Sequence, residues 1–213
     1  SFGKRYVSPG DEVIISEIEH HSNIVPWQMM CENQGAILRV IPVNDKGELI
    51  LEEYAKLLNA KTKIVSIGHV ANSIGTINPI KTMVHMAHEV GAKFLVDGAQ
   101  WAPHGKIDVQ NLDCDFYVFS AHKAYGPTGL GVLYARHELL EEMPPYQGGG
   151  DMIEEVRFEK TTYNVPPLKF EAGTPMIAEA IGIAPAIDYI NAVGLDAISN
   201  WEHELLQHAT EKI

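Results

Sequence analysis

The chain has 213 residues, 16 basic against 28 acidic side chains and a formal net charge of −12, with 46% hydrophobic and 21% charged residues. That is apolar enough for a sizeable core and too apolar for disorder, and the lack of a basic face argues against a nucleic-acid or anionic-membrane partner. No apolar run approaches the ~18–20 residues of a membrane span, and Cys31 and Cys114 are too few for a disulfide framework or a four-cysteine zinc site; the expectation is a soluble, cytoplasmic protein.

In chain order, Val13-Ile14-Ile15 reads as a strand. Ser22 or Asn23 is expected to cap the helix that follows, with Pro26 in its first turn and Asn33-Gln34-Gly35 at its end. Next come a strand at Ile37–Ile41, a turn at Asn44–Gly47 and a helix around Leu51–Leu58. Lys63–Ile67, Lys93–Val96, Phe116–Phe119 and Gly131–Tyr134 read as further strands, with a helix at Pro79–Val90. Apolar strands alternating with helices predict an α/β domain with a mostly parallel central sheet flanked by helices. From Pro144-Pro145 to Pro166-Pro167 the chain reads as irregular, and helical patterning returns at Met176–Ala192 and continues to the end. Ser1 opens the chain without an initiator methionine and Lys212-Ile213 closes a helical pattern without a stop signal, so both ends are expected to be cut.

Ligands of open α/β sheets bind beyond the carboxyl ends of the strands. Polar residues gather where those ends are predicted: Glu19-His20-His21, His69 with Asn72, Asp97 to Gln100, and Ser120 to Lys123. Lys123 stands between an apolar strand and the Gly126-Pro127-Thr128-Gly129 turn, where desolvation favours the free amine that a Schiff base requires. Asp97 is either a turn aspartate or a carboxylate for a cationic cofactor nitrogen, and its separation of 26 positions from Lys123 leaves room for an excursion to the next strand. His20 is a polar loop residue or an imidazole lying on an aromatic ring. His85 and His88 lack the glutamate that a zincin motif places between its histidines. The Gly126–Gly131 stretch fits neither the Walker nor the dinucleotide pattern and reads as a tight loop that aims Lys123. Cys31 and Cys114 read as packing thiols.

Taken together, Glu19-His20-His21-Ser22-Asn23, Asn72 to Thr76, Val96-Asp97-Gly98-Ala99-Gln100, Ser120 to Gly129 and Phe170-Glu171-Ala172-Gly173-Thr174-Pro175 resemble the SufS-type cysteine desulfurases. These are class V enzymes of fold-type I that use pyridoxal 5'-phosphate, and the similarity runs in order along essentially the whole chain. The resemblance implies that residues 1–213 are the cofactor-binding large domain, with the last helix, about 195–213, leading toward a small C-terminal domain. It implies that Lys123 links covalently to the cofactor and moves protons, that Asp97 holds the ring nitrogen protonated, and that Gln100 touches the ring hydroxyl. His20 would stack on the ring and take part in proton transfer, Ser120 and His122 would hold the phosphate, and Asn72 would position the substrate carboxylate. Thr174 would reach the phosphate of a second subunit in a homodimer. The implied reaction takes sulfur from L-cysteine, or selenium from L-selenocysteine, leaving alanine and an enzyme persulfide; a SufE- or SufU-like acceptor then carries sulfur toward iron–sulfur cluster assembly.

In that family the persulfide cysteine belongs beyond residue 213, as does an arginine for the substrate carboxylate, and neither Cys31 nor Cys114 matches the nucleophile. The isolated chain is therefore expected to show no turnover. Competing readings are a selenocysteine lyase, a kynureninase or an aminotransferase on the same scaffold, a non-catalytic dimerisation module, and a metal-dependent hydrolase.

Overall fold

A computed structural model describes residues 1–213. In order, its elements are α1 (Phe2–Tyr6), β1 (Glu12–Ser16), α2 (Val25–Gln34), β2 (Ile37–Ile41), α3 (Leu51–Leu57), β3 (Thr62–Gly68), α4 (Ile80–Glu89), β4 (Lys93–Asp97), α5 (Val109–Leu112), β5 (Phe116–Ser120), β6 (Gly131–Ala135), α6 (His137–Glu142), β7 (Ile153–Val156), β8 (Thr161–Tyr163), α7 (Ile177–Val193) and α8 (Leu195–Thr210). The first six strands form one sheet in the order β2-β1-β3-β4-β5-β6, parallel except for β6, which runs antiparallel to β5. The short connection from Ser120 to Gly131 explains the exception, since parallel neighbours need a crossover of a dozen or more residues. No single helix is long and apolar enough to cross a membrane.

Alternation along the strands builds two cores. Ile14, Val65, Ile67, Phe94 and Val96 pack with Tyr54 of α3 and Ile80, Met83, Val84 and Ala87 of α4 on one face. Their neighbours Val13 and Ile64 point the other way, into a smaller core with Cys31 of α2 and Leu139 of α6. A central strand covered on both faces is apolar through its middle, and β1 is buried throughout with Val13-Ile14-Ile15 at its centre. Gly35 ends α2 at φ 67°, the left-handed conformation in which glycine carries no steric cost.

Two local readings are corrected. Neither Ser22 nor Asn23 caps α2: a 3-10 turn at His21–Asn23 intervenes, α2 begins at Val25, and its cap residue Ile24 supplies no side-chain hydrogen bond. The Asn23 side chain is drawn inward instead, where it bonds to Glu19, Trp27 and Ser66. The segment after Met143 is not wholly irregular, because β7 and β8 pair as an antiparallel hairpin. Its strands are four and three residues long, and Glu154, Glu155 and Val156 are exposed, so no apolar alternation marks it.

Candidate active site

The order of the sheet reverses between β1 and β3: the chain leaves β1 toward β2 on one side and returns to β3 on the other. A crevice opens at such a switch point, beyond the carboxyl ends of the strands. Here it is a cavity of about 630 Å³, within the ~300–1,000 Å³ span of small-molecule sites. Its wall is built from the segments that follow β1 (Glu19, His20), β3 (Val70, Asn72), β4 (Asp97, Gln100) and β5 (Ser120, His122, Lys123), closed by Pro26 and Trp27 at the start of α2.

Lys123 is delivered by a 3-10 turn at Ala121–Ala124 directly after β5. Ala121 and Ala124 bury, while Tyr125 takes a left-handed conformation at φ 60° and the Gly126 N–H donates to the Ala121 carbonyl at 2.9 Å, closing the turn. Lys123 is half-buried on the cavity wall. Asp97, the last residue of β4, accepts a hydrogen bond from the Ala99 N–H at 3.0 Å, so its turn role and its place in the cavity coexist. Gly98 follows because nothing larger fits: a Cβ there would lie 2.4 Å from the Tyr117 hydroxyl oxygen. Gly98 N–H also donates to the Val118 carbonyl at 2.8 Å, tying the Asp97 turn to β5.

His20 lies on the wall with its Nδ1 accepting from the Ser22 N–H at 3.1 Å and 2.8 Å from the Ser22 hydroxyl. That bonding assigns Nδ1 as acceptor and leaves the proton of the neutral ring on Nε2. His69 does not line the cavity. It stacks on Trp101 with centroids 4.4 Å apart, sits 3.1 Å from the Tyr117 hydroxyl, and burial pushes its pKa down to about 4. Thr174 is exposed and outside the cavity. His88 faces Asp115 at 2.8 Å and His85 lies 3.5 Å from Glu89, each occupied with its own acid. Both cysteines are buried away from the cavity, and burial raises both thiols, Cys114 to about 11.

Sequence reasoning gave no separate role to Glu19, which proves to be a buried acid on the cavity wall. Burial is the main force raising its pKa, opposed by bonds from Ser16, Asn23 and Gly68, with the negative charge of Asp97 adding to the rise. Its spacing of four from Asn23 across a predicted helix start was the available signal. Tyr117, which packs against Gly98, and Trp101, which stacks on His69, carried no signal beyond apolar strand and loop positions.

The family model for class-V aminotransferases matches residues 1–213, and the chain belongs to that family. It is 53% identical over 210 residues to a cysteine desulfurase of Synechococcus elongatus, covering 99% of this chain and 34% of that protein. A cysteine desulfurase of an Enterobacter species is likewise 53% identical over 210 residues, covering 98% of this chain and 52% of the relative. Among solved structures, the cysteine desulfurase CsdA from Escherichia coli superposes with a TM-score of 0.95 at 39% identity, over 99% of this chain and 53% of that one. The chain thus spans between a third and about half the length of these relatives.

Proposed function

We propose that this chain provides the pyridoxal 5'-phosphate site of a cysteine desulfurase, which takes sulfur from L-cysteine and leaves L-alanine. The observation that carries the reading is the convergence on one cavity of an amine, a carboxylate, an imidazole and several neutral donors, from four separate strand ends. The side chains of Asn72, Gln100, Ser120, His122 and Lys123 line that cavity and none is engaged in an ion pair within the chain. This donor set suits the group: an acid for a ring nitrogen, an amine for an aldehyde, and hydroxyl and imidazole donors for a phosphate.

When bound, pyridoxal phosphate supplies an electron sink for the carbanion of a linked amino acid. Lys123 would hold it covalently and would move protons at the substrate carbon through its Nζ. Asp97 would keep the ring nitrogen protonated, its carboxylate steadied by the Ala99 N–H. Gln100 would donate to the ring hydroxyl, and Ser120 and His122 would hold the phosphate. His20 would cover the ring face with its Nε2–H free for proton transfer, since Nδ1 is committed to Ser22. Asn72 would orient the substrate carboxylate, and the exposed Thr174 is free to reach the site of a second copy in a homodimer.

The sulfur must go to a thiolate, and neither cysteine here can serve: both are buried off the cavity with raised pKa values. The accepting cysteine would lie outside residues 1–213, as the resemblance to cysteine desulfurases implies, and a SufE- or SufU-like protein would then relay the sulfur toward iron–sulfur cluster assembly in a reducing cytoplasm. The test is to supply full-length protein with L-cysteine, cofactor and a thiol reductant. Alanine and sulfide in equal amounts are expected; amino transfer to a keto acid, with no sulfide, would contradict the assignment.

A further inference from the structure

Glu19 has no step in the proposed reaction, yet it is the one carboxylate on the cavity wall that is buried, at 8% exposure. No cation neutralises it; the charged group acting on it is Asp97, another acid. Burying a carboxylate without a cation is costly, so all its bonding must come from neutral donors. Three such donors converge on it from three places. The Ser16 hydroxyl at the end of β1 meets Oε1, while Asn23 Nδ2 in the 3-10 turn, at 2.7 Å, and the Gly68 N–H at the end of β3, at 2.8 Å, meet Oε2. The cluster continues through Asn23, whose Oδ1 accepts from the Ser66 hydroxyl at 2.6 Å and from Trp27 Nε1 at 2.9 Å. These bonds bridge β1 and β3 at the point where the order of the sheet reverses. They also fix both ends of the short segment that carries His20, because Glu19 precedes it and Asn23 follows it.

We infer that Glu19 is a positioning residue for this site, its carboxylate clamping the His20 turn to the end of β3 so that the imidazole is held over the cavity. The inference rests on the cofactor reading and deepens it. Oε1 meets a hydroxyl, which can donate or accept, whereas Oε2 must accept from two N–H groups, so the clamp needs an oxygen at the Oε2 place. A glutamine amide meets that requirement: its oxygen accepts from Asn23 and Gly68, and its N–H₂ donates to the Ser16 oxygen.

The same count separates two changes. Glu19→Gln keeps an acceptor for Asn23 and Gly68 and a partner for Ser16, whereas Glu19→Leu, of similar size, strands the Asn23 and Gly68 N–H groups.

The test uses full-length protein loaded with pyridoxal phosphate. The readouts are the visible circular dichroism of the bound cofactor, which reports how its ring is held, the cofactor Kd, and the thermal midpoint from far-ultraviolet circular dichroism. Glu19→Leu is expected to lose half or more of the visible ellipticity per bound cofactor and to bind roughly tenfold more weakly, the scale of an unsatisfied buried donor. Glu19→Gln is expected to keep both within twofold. A folded Glu19→Leu protein with the wild-type visible band and Kd overturns the inference, even with a lowered thermal midpoint, because its role is then only in stability. A folded Glu19→Gln protein as impaired as Glu19→Leu also overturns it. Where Glu19→Leu does not fold, Asn23→Ala, which cuts the far end of the clamp, decides by the same readouts. Wild-type protein that acquires no visible band would instead remove the cofactor reading on which the inference rests, a result distinct from a loss confined to the variant.

Discussion

Gly98 is where the fold and the site press hardest on each other. A Cβ added there would lie 2.0 Å from Cε1, 2.3 Å from Cζ and 2.4 Å from the hydroxyl oxygen of Tyr117. Carbon atoms rest at about 3.5–4.0 Å, so Gly98→Ala requires the ring and the Asp97 turn to separate by about 1.5 Å. The ring has little room to retreat: Tyr117 is 2% exposed, its hydroxyl lies 3.1 Å from His69 Nδ1, and His69 is itself stacked on Trp101. Overpacking costs about 1–3 kcal/mol, and with Tyr117 and His69 both buried we expect about 3 kcal/mol, roughly 150-fold in the unfolding constant. Urea denaturation followed by tryptophan fluorescence reads this directly. Pairing it with Tyr117→Ala, which opens the space, should make the double variant more stable than the sum of the single costs by about 1 kcal/mol or more. A Gly98→Ala midpoint equivalent to within about 0.5 kcal/mol of wild type, or strict additivity with Tyr117→Ala, would refute the reasoning.

Other expectations follow from the same packing and charges. His69 is held neutral, with its pKa lowered from 6.5 to about 4. A lowered folded-state value means that the unfolded chain binds the extra proton between those limits, so stability is retained above pH 6.5 and falls on acidification toward pH 4, by about 3 kcal/mol in all. His69→Phe should flatten that part of the stability profile; an unchanged slope counts against the assignment. Asp115 is 1% exposed, receives the Phe94 N–H at 2.8 Å and faces His88, Lys93 and Arg136. Asp115→Ala strands those groups and should destabilise by about 3–5 kcal/mol in denaturant titration, while leaving cofactor affinity within twofold. Iodoacetamide should leave Cys31 and Cys114 unlabelled in native protein near pH 8 and label both after unfolding, as peptide mass mapping would read; rapid native labelling would contradict their burial.

Much of this could be read from residues alone, and the exceptions have physical causes. The apolar strands announce themselves because both faces are covered, so β1 and β3 to β5 fall within a residue or two of their predicted limits. Asp97, Gln100, Ser120, His122 and Lys123 were legible as residues of one cavity wall because a polar group directly after an apolar strand has one place to go. His69 satisfied that same rule and went elsewhere. Its ring is captured between Trp101 and Tyr117, two residues distant in sequence whose packing only the folded chain brings together. Asn23 carried the signature of a helix cap, but the donors and acceptors of Glu19, Ser66 and Trp27 compete for it and prevail. The β7–β8 hairpin was illegible because its exposed strands carry no hydrophobic pattern.

Reductive trapping tests most directly the proposed role of Lys123 as the residue that carries the cofactor. Full-length protein would be incubated with pyridoxal phosphate, reduced with borohydride, digested and mapped by mass spectrometry. One phosphopyridoxyl group per chain is expected, on the peptide containing Lys123, and it should be lost in Lys123→Ala with the fold intact. Folded, cofactor-saturated protein with Lys123 unmodified, or with the label on another lysine, would contradict it.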